Sequence, residues 1–215
     1  MKTNRELQDA VIDELRWEPR VDASEIGVSA KAGSVTLTGH ASSYTQKLDA
    51  VRAAERVDGV TAVADELEVH LSGDPRDDAD VAKAIADALK WSSTVPTTVH
   101  AEVTSGWVNL TGEVDWSYQR DDAFGIVQGV MGVMGVTNLV TLKPTASPVG
   151  VEDKIRDAFE RNADLDADGI SVTVSDGKVE LNGQVHSLHE ANIAESAAWS
   201  APGVQSVERH LTVTP

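Results

Sequence analysis

Gly33-Ser-Val35-Thr-Leu37-Thr-Gly39, Gly106-Trp-Val108-Asn-Leu110-Thr-Gly112 and Gly177-Lys-Val179-Glu-Leu181-Asn-Gly183 are one pattern written three times. The copies recur at near-constant spacing. A second glycine follows each at a fixed distance, in Gly59-Val60, Gly132-Val133 and Gly203-Val204. An internal repeat of this period means that each copy is one small supersecondary unit. Within each copy Val and Leu alternate with Ser, Thr, Asn and Glu, the period of a strand with one buried face. The closing glycines Gly39, Gly112 and Gly183 mark places where a side chain would clash or where φ is positive.

Reading outward from that strand gives the rest of the module. Upstream lies an alternating segment, Ile26/Val28/Ala30, Val99/Ala101/Val103 or Ile170/Val172/Val174. A Gly-containing turn joins it to the quoted strand, and Asp176-Gly177 is the strongest hairpin signal of the three. Further upstream an amphipathic helix opens each copy, with stripes Leu7/Val11/Ile12/Leu15, Val81/Ala84/Ile85/Ala88/Leu89 and Val151/Ile155/Ala158/Phe159. Downstream the pattern predicts a second helix over roughly 43–57, 116–131 and 187–200, then a last strand over Val63–Leu71, Val136–Leu142 and Val207–Val213. The expected fold is α+β: three tandem α-β-β-α-β modules, each a three-stranded mixed sheet packed against two helices. Boundaries are expected at 1–73, 77–143 and 149–215, joined by Ser72-Gly73-Asp74-Pro75 and Lys143-Pro144-Thr-Ala-Ser-Pro148.

Charge narrows the partners. A formal charge of −17 and a pI near 4.6 exclude ordinary phosphate recognition, so no nucleic acid is expected. The same balance disfavours electrostatic attachment to anionic lipid. Cysteine is absent, which removes disulfides, thiol nucleophiles and thiolate metal sites. No stretch reaches the roughly 18 apolar residues of a spanning helix. The opening Met1-Lys-Thr-Asn-Arg-Glu carries charge where a secretion signal needs an apolar run, so the expected compartment is the cytoplasm.

In Val35/Leu37/Gly39/Gly59, Val108/Leu110/Gly112/Gly132 and Val179/Leu181/Gly183/Gly203, the chain resembles the BON domain family, named for bacterial osmotically inducible and nodulation-associated proteins. The resemblance implies the α-β-β-α-β order. It also implies an accessory role in envelope stress or at membranes, through phospholipid or partner binding and without catalysis. This chain differs from many members in carrying three copies, and from its opening residues no secretion signal is expected.

No nucleophile–base arrangement, Gly-x-Ser-x-Gly elbow or phosphate-cradling loop stands out, so no enzyme and no cofactor are expected. Asp164-Leu-Asp166-Ala-Asp168-Gly169 opens like a calcium loop, but Ser175 stands where the bidentate Glu belongs. It reads as a solvated acidic loop. His186 and His189 near Glu190 have metal-compatible spacing but read as surface histidines, and no metal site is expected. His40, His70, His100 and His210 are scattered at strand ends with nothing collective.

The middle copy's second helix is the exceptional stretch. From Phe124 to Val136 it has no charge and holds Gly125, Gly129, Gly132 and Gly135. Two readings follow: this helix is covered by the flanking modules, or it offers an apolar face to another chain or a membrane surface. The contact candidates are Trp116, Tyr118, Phe124, Val127, Met131 and Met134, with Gly125 and Gly129 permitting close backbone approach. Trp17 and Trp91, ending their first helices, read as core or inter-module packing. The sequence therefore points to a non-enzymatic scaffold or binding protein working through protein contacts in stress tolerance or envelope maintenance. A peripheral phospholipid-binding role is the alternative, and an ion-binding module a more distant one.

Overall fold

A computed structural model describes residues 2–71, 76–143, 150–162 and 165–214. The expected linkers, apart from Lys143, fall outside them. The first module runs α1 (Asn4–Trp17), β1 (Ile26–Lys31), β2 (Ser34–Ala41), α2 (Tyr44–Glu55) and β3 (Ala62–Val69). The second runs α3 (Asp78–Trp91), β4 (His100–Thr104), β5 (Trp107–Val114), α4 (Ser117–Gln128) and β6 (Gly135–Leu142). The third runs α5 (Val151–Glu160), β7 (Ile170–Ser175), β8 (Lys178–Val185), α6 (Leu188–Trp199) and β9 (Ser206–Val213). The fold is the α+β triplication that the repeat predicts, with one three-stranded sheet per module in the orders β1-β2-β3, β4-β5-β6 and β7-β8-β9.

Local chemistry explains the elements. Thr3 caps α1 in a reciprocal capping box with Glu6, whose carboxylate accepts from the Thr3 amide at 2.8 Å. That bond, then the Thr3 hydroxyl, holds the Glu6 carboxyl below its ordinary range. Asp77 caps α3 by accepting from the Asp80 amide. Each hairpin turns on two residues of positive φ, Ala32-Gly33, Ser105-Gly106 and Asp176-Gly177, which is the type I′ geometry whose twist suits antiparallel strands. The first two strands then pair antiparallel, as in Val103↔Val108 and Val174↔Val179. The last strand returns parallel after the second helix, as in Leu110↔Asn138 and Leu181↔Arg209. The turn glycine's carbonyl holds that returning strand, accepting from Thr61, Met134 and Gln205 at 2.8, 2.9 and 2.7 Å.

On the first helices and the strands the buried residues fall on the predicted stripes, with Ile12, Ala84, Ala88 and Ala158 half-buried at their margins, whereas the inward face of α4 includes Val127, expected at a contact surface. Val81, Ile85, Val108, Leu110, Ala123 and Val127 belong to the middle core, and Val151, Ile155, Phe159, Val179, Leu181 and Ala194 to the third. In the first module Leu7, Val11, Leu15, Val35, Leu37 and Ala53 are likewise buried. Each such aliphatic side chain contributes about 1.5–3 kcal/mol on burial. Alanines at Ala50, Ala53 and Ala54, and at Ala191, Ala194 and Ala198, face inward on α2 and α6.

The chain divides into two compact units that do not follow the repeat. One joins most of the first module with the third, and the other joins the second module with His40–Leu48 and the residues from Leu67. Within the former, Asn192 on α6 donates to Glu55 on α2 at 3.0 Å. Arg56 there also bridges Glu14 of α1 and Glu18, which caps its C-terminal end, at 2.8 and 3.0 Å. Burial opposes its charge, but the two carboxylates outweigh it and raise the guanidinium's pKa.

At Gly112 φ is +134° and a Cβ would collide with the Thr98 carbonyl oxygen, whereas a Cβ at Gly125 would meet only Gln128 Nε2 at 4.0 Å. Gly112→Ala therefore destabilises by about 2 kcal/mol or more. Gly125→Ala, inside α4, stabilises by up to about 1 kcal/mol. Calorimetric melting should show Tm shifts of opposite sign.

Candidate functional site

The six contact candidates do not share one face. Val127 is fully buried in the middle core and Phe124 packs against it, so the apolar side of α4 is turned to its own sheet. That removes Val127 from the expected contact surface and leaves Phe124 only partly exposed on it, because the helix must bury its apolar stripe to close the module. Met134 is half-buried over the hairpin, with its amide on the Gly106 carbonyl. Trp116 and Tyr118, at the start of α4, stand about half exposed, and Met131, beyond its end, is 64% exposed. The helix stops at Gln128, three residues short of expectation, where Gly129 caps it.

Among the described residues no other element approaches the backbone closely at Gly125 or Gly129, the approach their small size would permit. A Cβ at Gly129 would meet only the Ile126 carbonyl of its own turn, at 3.7 Å. Cover comes instead at the helix end. Tyr44 of α2 packs against the middle core, and Thr45 donates to the Gln128 carbonyl at 3.0 Å. Between them lies a groove of about 350 Å³ lined by Ser43, Thr45, Leu71, Gln128, Met131 and Val133.

Trp17 and Trp91 overturn their reading as packing residues. They are 84% and 89% exposed at the ends of α1 and α3. Leu15 and Leu89 face inward, or partly so, two residues earlier, and two residues turn a helix about 200°, so each indole emerges on the opposite side. Trp91 adjoins a cleft of about 370 Å³ lined by Ala86, Leu89, Lys90, Val95, Pro96 and Val99. Trp107 is exposed as well. It lies over Gly135 of the neighbouring strand, where a Cβ would strike the ring.

The repeat glycines have two roles. Gly39, Gly112 and Gly183 have φ of +110°, +134° and +145°, and a Cβ would collide with the carbonyls of Glu25, Thr98 and Gly169. Gly59, Gly132 and Gly203, with φ of +92°, +102° and +79°, form the left-handed turns before each last strand.

One equivalent position escaped the sequence reading. Gln46, Gln119 and Glu190 each reach back from the second helix to the turn that starts it. Gln46 Oε1 accepts from the Ser42 amide at 2.6 Å, and Gln119 Oε1 from Asp115 and Trp116 at 3.0 Å. Glu190 accepts from His186 at 2.6 Å and from Asp166 at 2.8 Å. The signal was present as a Gln/Glu recurring at constant spacing. Because Glu190 is 5% exposed and committed to these amides, it is not a partner for His186 and His189 in holding a metal. Asp164 and the side chain of Asp168 lie outside the described residues. The fold stacks His40 on His70, two histidines that the sequence gave no reason to connect, with ring centroids 3.9 Å apart.

No helix among the described residues is long and apolar enough to cross a membrane. Fold and surface together define a tandem-repeat protein of small α+β modules that present aromatic side chains to solvent. The BON domain model matches residues 3–70, 77–144 and 149–215, and the chain belongs to that family. It is 35% identical over 129 residues to osmotically-inducible protein Y of Escherichia coli (strain K12), a match covering 55% of this chain and 62% of that protein. The match thus spans less than two thirds of the relative's length.

Two structures of CdsD, a structural protein of the Type III secretion system of Chlamydia trachomatis, align at 12% identity with TM-scores of 0.28 and 0.27. The first alignment covers 96% of this chain and 91% of the solved CdsD chain, and the second, to the C-terminal domain, covers all of both chains. Likenesses that weak say nothing about what this chain binds.

Glu190→Ala deprives two partly buried amides of their carboxylate acceptor and lowers stability by about 1–3 kcal/mol, while Glu190→Gln, which keeps an acceptor, loses less than half of that. Trp17→Ser and Trp91→Ser change stability by no more than about 0.5 kcal/mol. Urea unfolding of the four variants distinguishes buried from exposed roles.

Proposed function

We propose that this chain is a non-enzymatic binding protein of stress tolerance or envelope maintenance, holding a protein partner through aromatic side chains that its modules leave in solvent. The carrying observation is the pair Trp17 and Trp91, more than four-fifths exposed at the same place in two repeats. Isolated apolar residues are ordinary on a surface. Two indoles repeated at one structural position are a different matter, since Trp is the residue interfaces favour most as an anchor. Family membership and the osmotically inducible relative support the stress assignment, and neither description denotes an enzyme. The modules act as units over 1–73, 77–143 and 149–215. The cytoplasmic compartment is part of this proposal, and cell fractionation tests it.

The phospholipid alternative loses much of the apolar face of α4, since Val127 is buried and Phe124 packs partly against the same core. It keeps one favouring observation, exposed indoles at helix ends, which suit a membrane interface. The charge of −17 works against anionic headgroups.

In the native host, loss of the chain should lower survival at high osmolarity. Wild type should restore it, and a folded Trp17→Ala/Trp91→Ala double variant should not. Full rescue by the double variant refutes the aromatic contact. Vesicle co-sedimentation with zwitterionic and anionic lipid separates the partners: Trp-dependent binding to either vesicle transfers the reading from protein to lipid.

A further inference from the structure

The outer face of the first sheet gathers three metal-ligating side chains from distant parts of the chain. On β2, Val35, Leu37 and Ala41 are buried, so His40 points to solvent. On β3, Leu67 and Val69 are buried, and Glu68 and His70 stand on the outward side, two residues apart as one strand face requires. The His70 amide donates to the Ala41 carbonyl at 2.8 Å, which brings His70 beside His40. The two imidazoles stack with an interplanar angle of 18°, and Glu68 Oε2 lies 3.3 Å from His70 Nε2. One ligand atom from each of the three residues lies within 4.8 Å of the other two.

We propose that His40, Glu68 and His70 bind a divalent transition-metal ion of the zinc class. Bonds of about 2.0–2.2 Å from imidazole nitrogen and carboxylate oxygen place neighbouring ligand atoms about 3.3 Å apart around a tetrahedral ion. Because imidazole lone pairs lie in the ring plane, His40 and His70 must rotate out of their stack to converge on one ion, and exposure leaves all three side chains room to move. Two imidazoles and one carboxylate select zinc, copper or nickel over calcium or magnesium, which prefer oxygen alone. Three protein ligands leave a position open to water, so the ion is exchangeable and the fold does not depend on it.

The repeat supplies an internal comparison. Lys143 and Thr214 donate to Val114 and Val185 just as His70 donates to Ala41, each at 2.8 Å. The positions matching His40, Glu68 and His70 are therefore Glu113, Thr141 and Lys143 in the second module and Gln184, Thr212 and Thr214 in the third. Lys143 is bound to Asp115 at 2.9 Å, and that bond holds its ammonium above the ordinary range. Neither of these modules repeats the donor set, which is specific to the first.

The test is calorimetric titration of the untagged full chain with ZnCl₂, alongside NMR of the histidine ring protons. Expected are one equivalent of Zn²⁺, ring shifts at His40 and His70, and at least about tenfold weaker binding in His40→Ala and His70→Ala. A His186→Ala/His189→Ala variant should bind as wild type does. The ring shifts in the wild-type chain stand even if a variant folds poorly. Absence of uptake overturns the proposal, as does uptake unaffected by His40→Ala and His70→Ala, or Zn²⁺ readily displaced by Ca²⁺.

Discussion

Each module depends on one crowded spot, where a carbonyl oxygen occupies the place a Cβ would take at the end of the second strand. At Gly39, Gly112 and Gly183 the backbone is left-handed, and Glu25, Thr98 and Gly169 press their carbonyls against the bare Cα. This close approach lets the segment entering the first strand cross the second without splaying the hairpin. Antiparallel pairing then begins at or beside the glycine, as Ile26↔Gly39, His100↔Thr111 and Ile170↔Gly183. Two residues on, Ala41, Val114 and Val185 are buried and receive the residues that follow the third strand. Hairpin, crossover helix and closing strand all take their positions from that contact.

The repeat keeps what faces inward and varies what faces out. Leu7, Val81 and Val151 are interchangeable, as are Val11, Ile85 and Ile155, because each fills the same space between helix and sheet. Outward positions carry no such constraint. Trp17 and Trp91 correspond to Arg161, and Trp107 corresponds to Ser34 and Lys178. The modules are thus one scaffold with three different surfaces, and any division of labour resides on those surfaces.

Two readings of the sequence failed for the same reason: hydrophobicity was weighed without the phase of the helix. Trp17 and Trp91 are apolar, but they lie about 200° round the helix from the leucines that enter the core. Phe124 and Val127 looked like a docking face because their stretch lacks charge, yet α4 buries Val127 and packs Phe124 partly against the same core to seal its module. By contrast, the strands were fully legible, since Val-x-Leu alternation between glycines has no reasonable helical reading. The cap formed by Gln46, Gln119 and Glu190 was legible too, as a periodic Gln/Glu whose role becomes clear once the turn it closes is known.

By itself the sequence determined the order of elements, the hairpin turns and most inward residues, because these follow from interactions between residues close in the chain. Only the tertiary structure decided that His40 stacks on His70, that Tyr44 seats against the middle core and that Asn192 reaches Glu55. Those pairs lie far apart along the chain. They meet only once strands and helices have been laid side by side, and no local pattern of residues records that meeting.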